Sequence, residues 1–227
     1  MKNIFENVYL IENIGTANIF CLGTPKEYVL IDTGIFMKTK YLIEDLSRNG
    51  FKLENLKTII LTHCHCDHIG GVRDLTENSN AKVAAHNNDI SYILQEEIID
   101  GPYHVMMIEE QKAMKHLNKE VKKIDIVLND NDFIESLKVI NVPGHTPGSI
   151  ALYNYRNESM FFGDVIRESK KDGLSVGKPE KFNLNTEQVK KDAKSLLSYS
   201  IKYALLSHGK IYLNNDIEML RKLTEIA

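Results

Sequence analysis

Short apolar runs, some alternating with polar residues and each closed by turn residues, fill the start of the chain at residues 8–12, 17–22 and 28–32, the last followed by Thr33-Gly34. Side chains alternate between the two faces of a strand, so this pattern predicts a β-meander joined by hairpins. Over residues 38–49 the spacing changes: Tyr41, Leu42 and Leu46 recur at helical intervals and the pattern stops at Gly50, which predicts a helix with a glycine C-cap. Strands and helices then alternate: strand 57–62, helix 67–75, strand 82–85 and helix 88–99. Residues 100–123 are rich in Met, Lys and Glu and open with Gly101-Pro102, and read as a mostly helical insertion. A second strand-rich block covers 124–128, 137–142, 149–155 and 159–162, followed by a helix over 186–199, a strand over 202–207 and a last helix over 214–225. Each half puts strands first and helix-linked strands after. That order predicts an α/β (α+β) protein with two packed mixed sheets flanked by helices, sharing one core as a single domain over residues 1–227.

Composition narrows the function. With 227 residues, 43% of them hydrophobic, the chain can bury a substantial core without disulfides. Lys+Arg 28 against Asp+Glu 31 gives a net charge of -3, and the basic run at 119–123 is interrupted by Glu120. A protein that tracks phosphates needs clustered cations to release counterions, so nucleic acid is not an expected partner. No apolar run approaches the roughly 18 residues of a membrane span. The first residues lack the basic region, apolar stretch and cleavage site of a secretory signal. Cys21, Cys64 and Cys66 are odd in number and poorly spaced for a disulfide framework. The expectation is a cytoplasmic protein acting on a small molecule without nucleic acid or membrane, with a homo-oligomer left open.

The chemistry is concentrated in Thr62-His63-Cys64-His65-Cys66-Asp67-His68-Ile69-Gly70-Gly71, directly after a buried strand. Imidazoles and a carboxylate lose hydration near a core, and a metal ion would satisfy them together. His63 and His65 lie on one face of the extended strand end, while Asp67 and His68 open the following helix and approach from another direction. Further ligand candidates also follow apolar strands and enter glycine turns: His145 in Pro143-Gly144-His145-Thr146, Asp164 in Gly163-Asp164, and His208 in Ser207-His208-Gly209. Cys64 and Cys66 alternate with the ligands and should pack away from the ions. His86, His104 and His116 lack comparable settings. Tyr103, Met106, Met107 and Met114 fit the buried stripe of a helix, or the wall of a pocket. Arg167 reads as a solvent-exposed side chain, or a substrate contact.

These motifs in order, preceded by Ile31-Asp32-Thr33-Gly34, resemble the metallo-β-lactamase fold superfamily over about residues 8–209. The resemblance implies a four-layer αββα sandwich with a metal site at one edge of its sheets. It implies that His63, His65 and His145 hold a first divalent ion, that Asp67, His68 and His208 hold a second, and that Asp164 bridges them. Asp32 would support the histidine loop. Nitrogen and oxygen donors suit zinc, with iron or manganese as alternatives. An ion pair of this kind activates a bridging water as hydroxide, and Asp67 could take up its proton.

Within the superfamily, Asp164 argues against drug-hydrolysing β-lactamases, which generally lack that carboxylate. The flavin-linked oxygen reductases place a glutamate where His65 stands, and nucleic-acid-processing members add a large domain or a basic arm. The chain resembles most the glyoxalase II group, which implies hydrolysis of a small ester or thioester, although a long C-terminal helical domain with basic residues for glutathione is not evident. Lactonases share the ligand set, but in their quorum-quenching group a tyrosine stands where this chain has Arg167. A persulfide dioxygenase would hold one iron with His63, His145 and Asp164, and the complete second set of ligands disfavours it.

Overall fold

The computed structural model describes residues 1–12, 15–213 and 216–226. Their contacts group them into two units, Met1–Ala85, Asp89–Ile98 and Val105–Val127 in the first and His86–Asn88, Ile99–His104 and Leu128–Ala227 in the second. As expected, the architecture is mixed α/β, with two large mixed sheets and helices. Among the described residues no helix is long and apolar enough to cross a membrane.

The first large sheet runs in chain order through β1 (Lys2–Phe5), β2 (Val8–Ile11), β3 (Ile19–Thr24), β4 (Glu27–Ile31), β5 (Leu56–Ile60), β6 (Lys82–His86) and β7 (Ile126–Leu128). The first four pair antiparallel, whereas β4–β5 and β5–β6 are parallel. Parallel strands need crossover connections, and a helix lies in each of these. The first is α1 (Thr39–Arg48), which buries Leu42 and Leu46. Its C-cap is the predicted one: Gly50 has φ +83°, its N–H donates to Ser47 O at 2.9 Å, and Phe51 N–H donates to Leu46 O at 2.9 Å. Residues Tyr28 to Ile31 and Ile59 to Ile60 are all buried, the continuous apolar reading of strands covered on both faces.

The helix expected over 67–75 is instead two, α2 (Cys66–Ile69) and α3 (Val72–Glu77), broken at Gly70-Gly71. The glycines are there for close approach: a Cβ on Gly70 would stand 2.3 Å from Phe36 N, and one on Gly71 would stand 2.7 Å from Thr33 O. The helix expected over 88–99 shrinks to α4 (Ile90–Ile93), because Gln95 turns to φ +60° and Glu96 N–H closes on Ser91 O at 2.9 Å. The insertion is helical, as α5 (His104–His116), with Met107 and Met114 on its buried side and Met106 exposed.

The second large sheet is built from β8 (Phe133–Ile134), β9 (Leu137–Asn141), β10 (Ile150–Asn154) and β11 (Ser159–Phe161), joined after a hairpin and a helix by β14 (Tyr203–Leu205) and β15 (Tyr212–Leu213). Its order is β15-β14-β11-β10-β9-β8, antiparallel except for β11–β14. The hairpin of β12 (Ile166–Ser169) and β13 (Gly173–Val176) was not anticipated from the sequence. Helix α6 (Thr186–Leu197) is the crossover that the parallel pair requires, and Asn185 caps it by accepting Gln188 N–H at 3.0 Å. Val189, Ala193 and Leu196 of α6 pack with Val142, Ala151, Met160, Phe162 and Leu206 from the sheet and with Ile217 and Leu220 of α7 (Ile217–Ile226). The start expected for that last helix, Asn214, lies outside the described residues.

Candidate metal centre

In the first unit the chain leaves β5 extended through Leu61 and Thr62 and enters the histidine loop. Asp32, directly after β4, organises it. This carboxylate is 1% exposed and accepts Thr62 N–H at 2.8 Å, the Thr62 hydroxyl at 2.8 Å and His68 Nδ1–H at 2.8 Å. Its neighbour Thr33 receives the loop from the other end: Thr33 N–H and Oγ1–H both donate to His68 O at 2.8 Å, and Gly71 N–H donates to Thr33 Oγ1 at 3.0 Å. The Ile31-Asp32-Thr33-Gly34 motif therefore clamps α2 to the end of β4.

The same bonds fix the histidine tautomers. A carboxylate accepts, so His68 carries its proton on Nδ1 and presents Nε2 as a lone-pair donor. The single Thr62 hydroxyl proton goes to Asp32, so Thr62 Oγ1 accepts from His63 Nδ1 at 3.0 Å, and His63 also presents Nε2. The His63 ring lies 4.8 Å from that of His65 and 3.9 Å from that of His68. Asp67 is oriented by Thr16, whose hydroxyl donates to Oδ2 at 2.6 Å, while Oδ1 lies 3.7 Å from His68 Nε2. Cys64 and Cys66 are buried, near Met107 and Met114 of α5, and burial pushes both thiols up. Asp89 accepts Cys64 N–H at 2.9 Å and holds the loop from beneath.

In the second unit Asp164, His145 and His208 converge. Asp164 Oδ2 lies 3.4 Å from His145 Nε2, and its other oxygen, Oδ1, lies 3.3 Å from His208 Nε2. Each carboxylate oxygen thus faces its own imidazole. His145 Nδ1 donates to Asn183 Oδ1 at 2.9 Å, and Asn183 Nδ2 donates to Gly177 O at 2.8 Å and Thr186 Oγ1 at 3.1 Å, which fixes both the amide orientation and the tautomer. The turn before His145 is pinned to α6: Gly144 N–H donates to Asp192 Oδ2 at 2.9 Å and a Cβ on Gly144 would stand 2.3 Å from Val189 N. Burial raises the Asp192 carboxyl, opposed by its bonds from Gln188 and Gly144. The β12–β13 hairpin braces His208, since Glu168 N–H donates to His208 O at 2.9 Å.

Imidazoles that donate Nδ1–H to a fixed oxygen and keep Nε2 as a lone-pair donor are what a divalent cation requires of histidine, and the buried Asp164 with the partly exposed Asp67 completes the donor set. These residues therefore fit metal ions.

A family model described as "Metallo-beta-lactamase superfamily" matches residues 5–208. The chain belongs to that superfamily. A hydroxyacylglutathione hydrolase of Prochlorococcus marinus (strain MIT 9301) is 28% identical over 99% of this chain and 81% of its own length. A probable metallo-hydrolase of Bacillus subtilis (strain 168), YflN, is 24% identical over 92% of this chain and 89% of its own. Among solved structures, the metallo-beta-lactamase family protein TTHA1429 of Thermus thermophilus has a TM-score of 0.71 at 21% identity, covering 99% of this chain and 79% of that one. The likeness extends the superfamily fold to nearly the whole chain.

Against this metallo-beta-lactamase background, several residues escaped the sequence reading. Asn183, Thr16, Asp89 and Asp192 lie 38, 51, 25 and 48 positions from the residues they hold. Arg167, read from the sequence as a solvent-exposed side chain or a substrate contact, has its side chain 16% exposed and its Nε 3.4 Å from Asp164 Oδ2. The Tyr103 ring stands 5.7 Å from Phe182, and Met107 packs near Cys64 and Ile69. His104 is occupied locally, with Nδ1 3.0 Å from Ile99 O, and His86 Nδ1 accepts Asn88 N–H at 3.3 Å.

Proposed function

We propose that the protein is a metal-dependent hydrolase that cleaves a small ester or thioester. The observation that carries this reading is Asp164, whose two oxygens face separate histidines in the manner of a carboxylate that bridges two cations. By the motif resemblance, His63, His65 and His145 serve one divalent ion and Asp67, His68 and His208 the other, with zinc first and iron or manganese as alternatives. Bound there, such ions would lower the pKa of a water molecule toward about 7 and polarise the substrate carbonyl.

The protein side of the reaction follows from the bonds described above. Asp32, Thr62 and Asn183 hold the Nδ1 edges of His68, His63 and His145 and so aim each ring through Nε2. Asp67, with its side chain 23% exposed and Oδ2 tied to Thr16, takes up the proton of the attacking water through Oδ1. The relative named as a hydroxyacylglutathione hydrolase supports an acylated thiol as the substrate class.

Elemental analysis of protein purified without added metal or chelator tests the reading. About two equivalents of zinc, manganese or iron per chain are expected. One equivalent of iron alone would replace the hydrolase with persulfide oxidation, read by oxygen uptake. In the hydrolase, His63→Ala loses metal and rate together, whereas Asp67→Ala loses rate even after metal is resupplied. Normal turnover by Asp67→Ala would exclude the two-metal route.

A further inference from the structure

Arg167 is fixed at two points and open at a third. Its Nε edge lies 3.4 Å from Asp164 Oδ2, and its guanidinium carbon sits 5.3 Å from the centre of the Phe182 ring. That ring is itself steadied by Tyr103, edge-on at 5.7 Å, and carries a second cation, Lys181 Nζ, at 4.8 Å. Arg48 and Arg221, by comparison, expose 71% and 42% of their side chains, whereas Arg167 exposes 16%. Among the described residues its terminal nitrogens have no hydrogen-bond partner. Strand alternation sends the next residue, Glu168, to the opposite face of β12, where its Oε2 accepts Lys210 N–H at 3.0 Å. No protein carboxylate therefore competes from that neighbour.

We propose that Arg167 binds a carboxylate carried by the acyl part of the substrate, so that the preferred substrates are acyl thioesters or esters of dicarboxylic acids. A guanidinium is a rigid planar fork whose parallel N–H groups match a carboxylate in a bidentate pair. Stacking on Phe182 and the contact with Asp164 pre-order that fork, so little conformational freedom is lost when an anion docks. Because Arg167 touches Asp164, the carboxylate lies close to the bond being cleaved. Hydrolysis adds hydroxide from water to the thioester carbonyl carbon, breaks the C–S bond and delivers the proton to sulfur, releasing a dicarboxylate and a thiol. This assignment rests on the hydrolase reading above.

The test compares glutaryl and pentanoyl thioesters of N-acetylcysteamine, equal in acyl length and differing in the terminal charge, with the zinc-loaded protein. In the unsubstituted enzyme the glutaryl thioester should have the lower KM. Arg167→Gln should raise the glutaryl KM about 10- to 100-fold more than the pentanoyl KM, the differential loss expected for a charge-assisted pair. Arg167→Lys should restore part of the preference. Calorimetric binding of glutarate should weaken to the same degree in Arg167→Gln at unchanged zinc content. Equal loss on both thioesters, or unchanged glutarate binding, would overturn the assignment and leave Arg167 as a brace for Asp164. If the unsubstituted protein cleaves neither thioester, the hydrolase reading fails, while glutarate binding still decides whether Arg167 receives a carboxylate.

Discussion

Asp32 holds φ +60°, a left-handed conformation that costs a non-glycine residue about 1–2 kcal/mol. The hydrogen bonds that converge on its carboxylate offset that strain. Asp32→Ala would leave Thr62 N–H and His68 Nδ1–H without an acceptor, at about 1–3 kcal/mol for each buried donor, and urea denaturation should show the loss. Asn183 is the corresponding partner of His145, and its role is narrower. Asn183→Ala should weaken metal binding about 10- to 100-fold in a competitive chelator titration, with a smaller effect on the unfolding midpoint. Unchanged affinity would mean that the Nδ1 bond does not orient the ligand. The candidate ligands stood out in the sequence because histidines and aspartates clustered at strand ends beside glycines. Their supports were not, since an amide or hydroxyl dozens of residues away leaves no local signature. Cys21, Cys64 and Cys66 are buried, so a thiol reagent should modify them at native conditions only as fast as the chain opens, and rapidly in urea.

At the scale of elements, glycine sets where helices can stop and how closely they can dock. Gly144→Ala would drive a methyl group against the backbone at Val189, separate α6 from the His145 turn and destabilise the fold by about 1–3 kcal/mol. Gly144 has no positive φ, so its cost is crowding alone, whereas Gly173, at φ +66° with nothing within 4 Å of a built Cβ, carries backbone strain alone. Thermal melts of both variants therefore separate crowding from strain. The Asp192 bond to the same turn gives a pH signature. Burial raises its carboxyl above the ordinary value of 3.8, so its contribution to stability is fully present below that value and is lost as pH rises through the raised one. Asp192→Asn should flatten that part of the curve of unfolding midpoint against pH. The hydrophobic pattern placed α1, whose periodicity is strong, and most strands of the large sheets, but it gave none of β1, β8 and β15 and grouped residues 124–128 with the second block although β7 belongs to the first sheet. It missed the β12–β13 hairpin, whose strands are four residues each and partly exposed. It also fused α2 with α3, because only the approach of Phe36 and Thr33 shows why Gly70 and Gly71 interrupt the helix.

For the whole molecule, metal and folding should be coupled. An ion that binds only the folded chain stabilises it by about 2.7 kcal/mol at a free concentration one hundred times its Kd. Stripping the protein with a chelator should therefore abolish turnover and lower Tm, and adding zinc back should restore both. Lowering pH should weaken metal binding in parallel, because imidazole ligands must be neutral and their ordinary pKa is about 6.5.

The sequence by itself determined the α/β class, the order of the main strands, the superfamily and the residue types that fit metal, because periodicity and ligand spacing are local properties of the chain. Tertiary structure decided which nitrogen each of His63, His68 and His145 presents, how Asp164 divides its oxygens between His145 and His208, and where Arg167 lies. Those are set by hydrogen bonds and packing between residues far apart along the chain, and only folding brings them together.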